Sequence, residues 1–492
     1  MKSRLSVAMT LVLSFLVLLC SCGSFTQGRG AAVATACVSS TKSQSSRTAT
    51  ASTATPSAGS DTTTWVSAVQ TARTAAHTSA SMQPQTTKAS VSPTSQVRIS
   101  TIPKPSVQTA ASSPTLTPVV DEPISSALTP LSPQQYYGRQ LLAGEGNPRL
   151  LSAYEHIAAS MEQYARTIDI SHLRLSVAEA QKAYAYYLDD YPQHFWRSGN
   201  YSLSVYEDEN HRQTVAQITP DYTFGSDAAV RAARTEMHAA LQEILHGVTA
   251  DMSDYERELL LHDRLVTRII YDADRPDDPH IFTMYGALIN GRAVCEGYAR
   301  AFQYLMYQAG IPCMIAKGVS DNPDGEPVGH AWNVVKIDGA YYHLDATWND
   351  PVIEGGTSDD IRFYYYFNLT TEEIQRDHEI YSAASDGSAL TYPLPACTAT
   401  KYNYYIHSNA VIETAAIQPV AEAIAGAANA GRRYVNLRVP DAGAFWESFF
   451  LPNFPLIRTQ ANALISPAKN RISAAGVSCF YNIEQRAVVL CF

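Results

Sequence analysis

The stretches GRAVCEGYARAF (residues 291–302) and GHAWNVVKIDGAYYHLDATWND (residues 329–350) decide the fold of this chain. The first stretch has the apolar spacing of a helix, and Cys295 stands near the start of that helix. The second reads as two strands, and Asp338-Gly339 between them predicts a two-residue hairpin turn. We therefore predict an α+β arrangement, with a helix that carries Cys295 near its start and a β-hairpin that follows it.

The hairpin also predicts which side chains meet. With Asp338-Gly339 as the turn, Trp332 faces Asp345 and His330 faces Thr347. His330 and Asp345 are then diagonal neighbours on one face, roughly 7 Å apart at Cα. An aspartate in that position can fix the tautomer of the histidine and leave its other nitrogen for Cys295. The pattern predicts a Cys-His-Asp site for acyl transfer.

A thiol at the start of a helix is well placed for nucleophilic chemistry. The positive end of the helix dipole favours the thiolate of Cys295, and the same N–H groups can hold an oxyanion. Tyr285 and Asn290 are candidates for a second oxyanion donor. The register of the hairpin favours Asp345 over Asp350 as the partner of the histidine.

Other conspicuous residues of this region have a structural interpretation. Trp332 and Trp348 are predicted to form core or cleft wall, and His343 is predicted to be structural. We expect the pair Asp377-His378 to interact with the fold rather than to take part in the chemistry.

The two stretches, followed by FYYYFNLT (residues 363–370) and Asp377-His378, resemble the bacterial transglutaminase-like superfamily, which is related to papain-type cysteine proteases. The resemblance covers about residues 255–380, with the three motifs in the expected order. It implies a core in which a helix bearing the cysteine packs against an antiparallel sheet bearing the other two residues.

The resemblance also implies roles for single residues. Cys295 would be the nucleophile, His330 the general base and acid, and Asp345 the residue that orients the histidine. It does not decide the reaction, because members include transglutaminases, peptidases, amidase-like enzymes and inactive copies.

The chain has 492 residues, with 46% hydrophobic and 17% charged side chains, which leaves room for several domains. Its beginning resembles a bacterial lipoprotein leader: a short charged and apolar segment ends in Leu-Cys-Ser-Cys, and Cys22 would be lipidated. The next hundred residues are rich in Ser, Thr, Ala and Pro, a composition that cannot form a core. We predict a lipoprotein signal peptide (1–22), a disordered tether (23–132), a helical N-terminal subdomain with a β-hairpin (133–252), a catalytic domain (253–385) and a small α/β C-terminal domain (400–492).

Composition also limits the partners. Beyond the extreme N-terminus the chain has no block of Lys or Arg, and its net charge is −10, which argues against nucleic acid. Its 8 cysteines form no CxxC pair and no zinc-type spacing, so we predict no metal and no cofactor. Cys313 is predicted to be a core residue. Cys479 and Cys491 are predicted to lie opposite each other in a terminal hairpin, as a disulfide or as two buried thiols.

These features together predict an extracytoplasmic cysteine acyl-transfer enzyme, of transglutaminase or cysteine peptidase type, that acts on peptide or glutamine amides. Its partners would be a protein or cell-wall peptide substrate and the membrane that holds the lipid anchor. Two alternatives stay open: a catalytically silent binding or scaffolding protein of the cell envelope, and an amidase for peptidoglycan peptides.

Overall fold

A computed structural model describes residues 32–36, 97–101, 128–321, 327–351, 361–381, 391–473 and 477–492. The predicted leader and its lipidation site, Cys22, lie outside the described residues. None of the helices in these ranges is long and apolar enough to cross a membrane.

The N-terminal part combines helices with a small sheet. Its elements, in chain order, are β1 (Ala32–Ala36), β2 (Val97–Thr101), α1 (Tyr137–Gly144), α2 (Pro148–Glu162), β3 (Ile168–Asp169), α3 (Val177–Asp190), β4 (Arg197–Glu207), β5 (Gln213–Tyr222) and α4 (Asp227–Ile244). The predicted hairpin is β4–β5, which pairs antiparallel. Asn147 caps α2 by accepting a hydrogen bond from the N–H of Arg149 at 3.2 Å, as the Asn-Pro start of that helix predicts.

Two short strands correct the prediction that residues 23–132 lack regular structure. Strand β2 pairs parallel with β4, and β1 joins the C-terminal sheet. Both add to the edge of a sheet, where unpaired N–H and C=O groups accept any extended segment, so local composition does not reveal them. The folded part also begins earlier than residue 133, because Leu128 and Leu131 are buried and the N–H of Leu131 donates to the carbonyl of Tyr307 at 2.7 Å.

The central part carries the two stretches quoted first. Its elements are α5 (Asp254–Val266), β6 (Ile270–Tyr271), α6 (Met284–Leu288), β7 (Arg292–Ala293), α7 (Cys295–Gln308), β8 (Cys313–Asp321), β9 (Pro327–Ile337), β10 (Ala340–Leu344), α8 (Thr371–Ile374) and β11 (His378–Ile380). Strands β10, β9, β8 and β11 form an antiparallel sheet in that order.

The predicted hairpin is present, but it is shorter than expected. Asp338 and Gly339 have φ values of 49° and 82°, which two-residue turns of this kind require. The register is the predicted one from Ala340 opposite Ile337 to Leu344 opposite Asn333, and there the ladder ends. The pairs expected beyond it are absent, because the N–H of Asp345 donates to the carbonyl of Tyr366 instead, at 3.0 Å.

Helix α7 packs directly on this sheet and on the N-terminal part. Asn333 of β9 donates to the carbonyl of Ala299 at 3.0 Å, and Gln303 donates to the carbonyl of Asp189 at 2.8 Å. Gly297 allows the close approach, because a Cβ atom there would lie 2.4 Å from the carbonyl oxygen of Ile281. These contacts hold the start of the helix in one place relative to the sheet.

The C-terminal part has its own buried core and its own sheet, in the order β1-β13-β14-β12. Its elements are α9 (Tyr404–His407), α10 (Ile417–Asn429), β12 (Tyr434–Arg438), α11 (Ala442–Ala444), a π-helical segment (Phe445–Phe450), α12 (Leu451–Leu464), β13 (Val477–Asn482) and β14 (Ala487–Cys491). The predicted mixture of helices and strands and the predicted terminal hairpin, β13–β14, are both present. The sequence did not predict α12, because Pro452 and Pro455 interrupt the helical pattern.

The expected pairing of Cys479 with Cys491 is wrong by one residue. Cys479 lies opposite Leu490, and Cys491 lies opposite Ser478. Because neighbouring residues of a strand point to opposite faces, the two sulfurs face different sides of the sheet. Both cysteines are free thiols.

Candidate active site

Cys295 is the first residue of α7. The chain reaches it through β7, which pairs with β6, and through Val294, whose N–H donates to the carbonyl of Ile281 at 3.0 Å. The side chain of Cys295 is half-buried. It therefore stands at the positive end of a helix of fourteen residues while remaining open to solvent on one side.

His330 lies on β9 and meets both predicted partners. Its Nε2 atom lies 2.6 Å from Oδ2 of Asp345, and the thiol of Cys295 is near enough to raise the pKa of its ring. With Nε2 on Asp345, Nδ1 is the ring nitrogen that remains for the thiol. The structure thus brings Cys295, His330 and Asp345 together in the predicted order, and the shortened ladder does not prevent the contact.

Asp345 is a completely buried carboxylate with four hydrogen-bond donors. Its Oδ1 atom accepts from the N–H groups of Thr347 at 2.9 Å and Trp348 at 3.1 Å. Its Oδ2 atom faces His330 and His378, which lies at 3.2 Å. Burial by itself raises the pKa of Asp345, but the two imidazoles outweigh it and hold the pKa below its ordinary range, so the group is an anion.

The charge of Asp345 acts back on the imidazole. Burial lowers the pKa of His330, whereas the charge and hydrogen bond of Asp345, together with Cys295, raise it to about 9. An imidazole that keeps its proton at neutral pH beside a thiol favours the thiolate form of the cysteine. Cys313 is the contrasting case, because its burial raises the pKa of its thiol well above the ordinary value.

Asp350, the alternative to Asp345, has a different partner. Its Oδ2 atom accepts a hydrogen bond from the hydroxyl of Tyr298 at 2.7 Å, and burial raises its pKa to about 7. The geometry therefore supports the choice of Asp345 that the hairpin register suggested.

His378 also lies beside the predicted triad. Strand β11 pairs with β8 so that His378 lies opposite Ser320, and its Nε2 atom contacts the carboxylate of Asp345. Its Nδ1 atom lies 2.6 Å from Oδ1 of Asp377. The pair Asp377-His378 was expected to interact only with the fold, but the edge pairing of β11 brings it to the site. Its position in the third motif was the available signal.

The two remaining aromatic residues have the predicted structural place. Trp332 is buried and stacks beside His330 with 5.8 Å between ring centroids, and its Nε1 donates to Nδ1 of His343 at 3.0 Å. Burial lowers the pKa of His343 to about 3, so this imidazole is neutral and can accept the bond. Trp348 packs against His378 on the other side, at 4.5 Å.

The two candidates for a second oxyanion donor have other surroundings. The hydroxyl of Tyr285 donates to Glu236 at 2.7 Å, and its ring stacks on Phe195. Asn290 is exposed just before the tight turn at Gly291. Their role stays a prediction.

His330, Asp345 and His378 also satisfy the spacing of a metal site, since their ligand atoms lie within 4.8 Å of one another. Both imidazoles, however, hydrogen-bond directly to the same carboxylate oxygen. In this arrangement the three side chains form a hydrogen-bonded network around Oδ2 of Asp345.

A small recess opens beside the first turn of α7. Its wall includes Phe195, Arg197, Phe282, Thr283, Glu296 and Arg300. Arg300 pairs with Glu296 at 2.8 Å and donates to the carbonyl of Leu188 at 2.7 Å, so the recess lies where the N-terminal part meets α7. The residue next to Cys295 therefore faces a recess shared by both parts of the chain.

Comparisons with known proteins agree with this description of the core. Residues 242–346 match the family model described as the transglutaminase-like superfamily. The kyphoscoliosis peptidases of Mus musculus and Homo sapiens are both 26% identical to this chain, over 148 and 150 residues. Each alignment covers 28% of this chain and 22% of the relative, so the chain spans about a fifth of the length of these relatives.

A crystal structure of a TGase is also similar, at 13% identity and a TM-score of 0.20, and the match covers 30% of this chain and 50% of that one. The family match includes α7 with Cys295, strand β9 with His330, and Asp345. Residues 242–346 of this mixed α and β chain therefore carry a transglutaminase-like superfamily domain.

Proposed function

We propose that this protein is a cysteine-dependent acyl-transfer enzyme that acts on amide bonds of peptides or of glutamine side chains. The observation that carries the proposal is the buried pair of His330 and Asp345, with 2.6 Å between Nε2 and Oδ2, beside Cys295 at the start of α7. This arrangement supplies a nucleophile, a proton carrier and an orienting anion within one hydrogen-bonded unit.

The proposed reaction has two halves. In the first, the thiolate of Cys295 attacks the amide carbonyl, a C–S bond forms, and the protonated His330 gives its proton to the departing nitrogen as the C–N bond breaks. In the second, His330 takes a proton from an amine or a water molecule, which attacks the thioester; the C–S bond breaks, and the thiolate of Cys295 and the protonated His330 are restored. Asp345 stays ionised throughout and keeps Nε2 of the imidazole turned toward itself.

The developing oxyanion would be held at the start of α7. The N–H groups of the first helical turn have no partner within the helix and point toward the region of the thiol. Tyr285 and Asn290 remain candidates for a further donor. The recess beside Glu296 is the proposed place for a part of the substrate next to the scissile amide.

The cellular setting is part of the same proposal. The leader and the Ser/Thr-rich segment that follows it support a lipid anchor at Cys22 and a site on the extracytoplasmic face of a membrane. The substrate would then be a protein, or a peptide of the cell wall.

Alkylation kinetics test the proposed nucleophile. We expect iodoacetamide to label Cys295 at neutral pH at least about a hundred times faster than Cys313, because the latter is buried and its thiol keeps its proton. Mass spectrometry of the two tryptic peptides measures both rates in one sample. Equal rates would contradict an activated thiolate.

Activity assays separate the reaction types. Amine incorporation into a glutamine-containing protein and hydrolysis of a peptide library are compared for the wild type, Cys295→Ala and the control Cys313→Ala. We expect only Cys295→Ala to abolish turnover. If the wild type and Cys295→Ala bind cell-wall fragments equally well and neither shows turnover, the protein is instead a silent binding protein of the envelope.

A further inference from the structure

Asp345 serves two histidines, and the second of them leads to the C-terminal part of the chain. Nδ1 of His378 lies 2.6 Å from Asp377, whose other oxygen accepts from the hydroxyl of Tyr366 at 2.6 Å. The same hydroxyl accepts a hydrogen bond from Nδ2 of Asn482 at 2.9 Å. All five side chains from Asp345 to Asn482 are buried, so water does not compete for these bonds.

Asn482 is the last residue of β13, where the terminal hairpin turns. Its Oδ1 atom accepts from the N–H of Gln485, so the turn itself fixes the amide. Gln485 reaches the same region, with Nε2 at 3.2 Å from the carbonyl of Glu373 and 3.5 Å from Oδ2 of Asp377. Arg376 adds a further contact to this hairpin turn by donating to the carbonyl of Glu484 at 3.1 Å. The hairpin turn of the C-terminal part is therefore seated on the residues that hold His378.

We propose that His378 is a positioning residue of the active site and that the hydrogen-bonded series Asn482–Tyr366–Asp377–His378 makes the C-terminal hairpin a part of that site. The inference rests on the proposed function of Cys295, His330 and Asp345. It adds a role for the C-terminal part, which carries no chemical motif of its own: it sets how the charge of Asp345 is divided between two imidazoles.

The physical argument is electrostatic. Two donors compete for Oδ2 of Asp345, at 2.6 Å for His330 and 3.2 Å for His378, with 5.3 Å between the ring centroids. Hydrogen bonds to Asp345 and Asp377 overcome the effect of burial and raise the pKa of His378 to about 9, so its ring is a cation at neutral pH. A second cation at this distance makes it harder for His330 to keep its own proton.

The other groups around His378 leave this balance in place. Asp377 precedes His378 directly in the chain and hydrogen-bonds to it. Asp345 and the neutral His343 face His378 from the side of β10. The rings of Trp348 and Tyr366 pack against it. Asp377 thus pairs with His378 alone, whereas Asp345 pairs with both His330 and His378. Without His378, His330 would be the only imidazole hydrogen-bonded to Asp345, and its imidazolium would be harder to deprotonate.

The first test is the titration of His330 in His378→Gln, by NMR of the imidazole C–H signals, with the signal assigned from His330→Gln. Glutamine keeps a neutral donor toward Asp345 but carries no charge. We expect the midpoint of His330 to rise by roughly one pH unit relative to the wild type. An unchanged or lower midpoint in a folded variant would overturn the proposal.

The second test addresses the link to the C-terminal part through two matched pairs. Tyr366→Phe removes the central hydroxyl, whereas Tyr364→Phe removes a buried hydroxyl that donates to Asp263 at 2.9 Å, outside the series. Asn482→Ala cuts the contact to the hairpin, whereas Asn436→Ala removes a comparable amide that donates to the carbonyl of Arg362 at 3.0 Å.

Each variant is titrated as above, and the alkylation of Cys295 by the anion iodoacetate is followed against pH. This reagent is drawn to the imidazolium, so its rate falls where His330 loses its proton. We expect that fall to move to higher pH in Tyr366→Phe and Asn482→Ala, by less than in His378→Gln, because His378 is held less firmly on Asp345. Both controls should follow the wild type.

The two readouts separate the possible failures. If Cys295 is unreactive in every protein while the midpoint of His330 still rises in His378→Gln and Asn482→Ala, the proposed function fails and the link stands. If Cys295 reacts as proposed but Tyr366→Phe and Asn482→Ala behave like their controls, the C-terminal hairpin is not part of the site.

Discussion

The replacement Asp345→Asn isolates the charge of the buried carboxylate. The amide oxygen can still accept the N–H groups of Thr347 and Trp348, which Oδ1 accepts now, so the local backbone keeps its partners. The amide NH₂ group, in contrast, replaces the oxygen that faces His330 and His378. The variant therefore removes a charge and reverses a hydrogen bond without opening a cavity.

The size of the effect follows from the imidazole. Asp345 and Cys295 together raise the pKa of His330 from 6.5 to about 9 against the opposing effect of burial. That difference of roughly 2.5 pH units corresponds to about 3 kcal/mol, most of which we assign to Asp345 because it contributes both the largest charge effect and a hydrogen bond. In Asp345→Asn the ring is neutral at pH 7, and its Nε2 accepts from the amide. Its proton then sits on Nδ1, where the ring cannot act as a base toward Cys295.

We expect the alkylation of Cys295 by iodoacetamide at pH 7 to slow about a hundredfold. Stopped alkylation with mass spectrometry measures the rate. The matched control is Asp350→Asn, which neutralises another buried carboxylate five positions further along and should leave the rate unchanged. A rate for Asp345→Asn within threefold of the wild type, in a folded protein, would refute the assignment of Asp345 as the orienting anion.

Three further predictions concern stability and packing. Burial raises the pKa of Glu258 from 4.5 to about 8, so its contribution to stability is present below pH 4.5 and lost as the pH rises toward 8. Glu258→Gln should therefore be more stable than the wild type above pH 8, by up to roughly 5 kcal/mol, in urea titrations at several pH values. In Gly318→Ala the new Cβ would lie 1.9 Å from the carbonyl oxygen of Glu379. This clash should push β11 off the sheet and lower activity at least about tenfold. An unchanged rate and melting temperature would contradict the packing described. Trp332→Phe leaves the buried, neutral His343 without its donor and should cost about 1–3 kcal/mol of unfolding free energy in the same titrations, and a variant as stable as the wild type would contradict that bond.

Local patterns were sufficient for the elements that carry the triad. The apolar spacing after Cys295 predicted α7, and Asp338-Gly339 predicted the turn and the register of β9 and β10. Both signals are short-range, because a helix and a two-residue turn are determined by neighbours in the chain. For the same reason the amino-acid sequence alone favoured Asp345 over Asp350.

The same reasoning was weaker where a contact depends on distant parts of the chain. The strands β1 and β2 join the edges of sheets made by other segments, and the offset of Cys479 from Cys491 depends on one residue in a turn. Local composition predicts neither the edge strands nor this register, because edge pairing accepts many sequences and a shift of one residue exchanges the two faces of a strand.

The sequence by itself determined which cysteine, histidine and aspartate come together, because they lie on one helix start and one hairpin whose geometry is local. Only the tertiary structure decided that Asp345 is shared with His378 and that Asn482 stands behind it, 137 positions further along the chain. That arrangement exists because β11 pairs with the edge of β8 and the terminal hairpin seats on the aromatic run at Tyr366. Hydrogen bonds of this kind depend on the order of strands in a sheet and on the docking of separate cores, which no periodic pattern in the chain specifies.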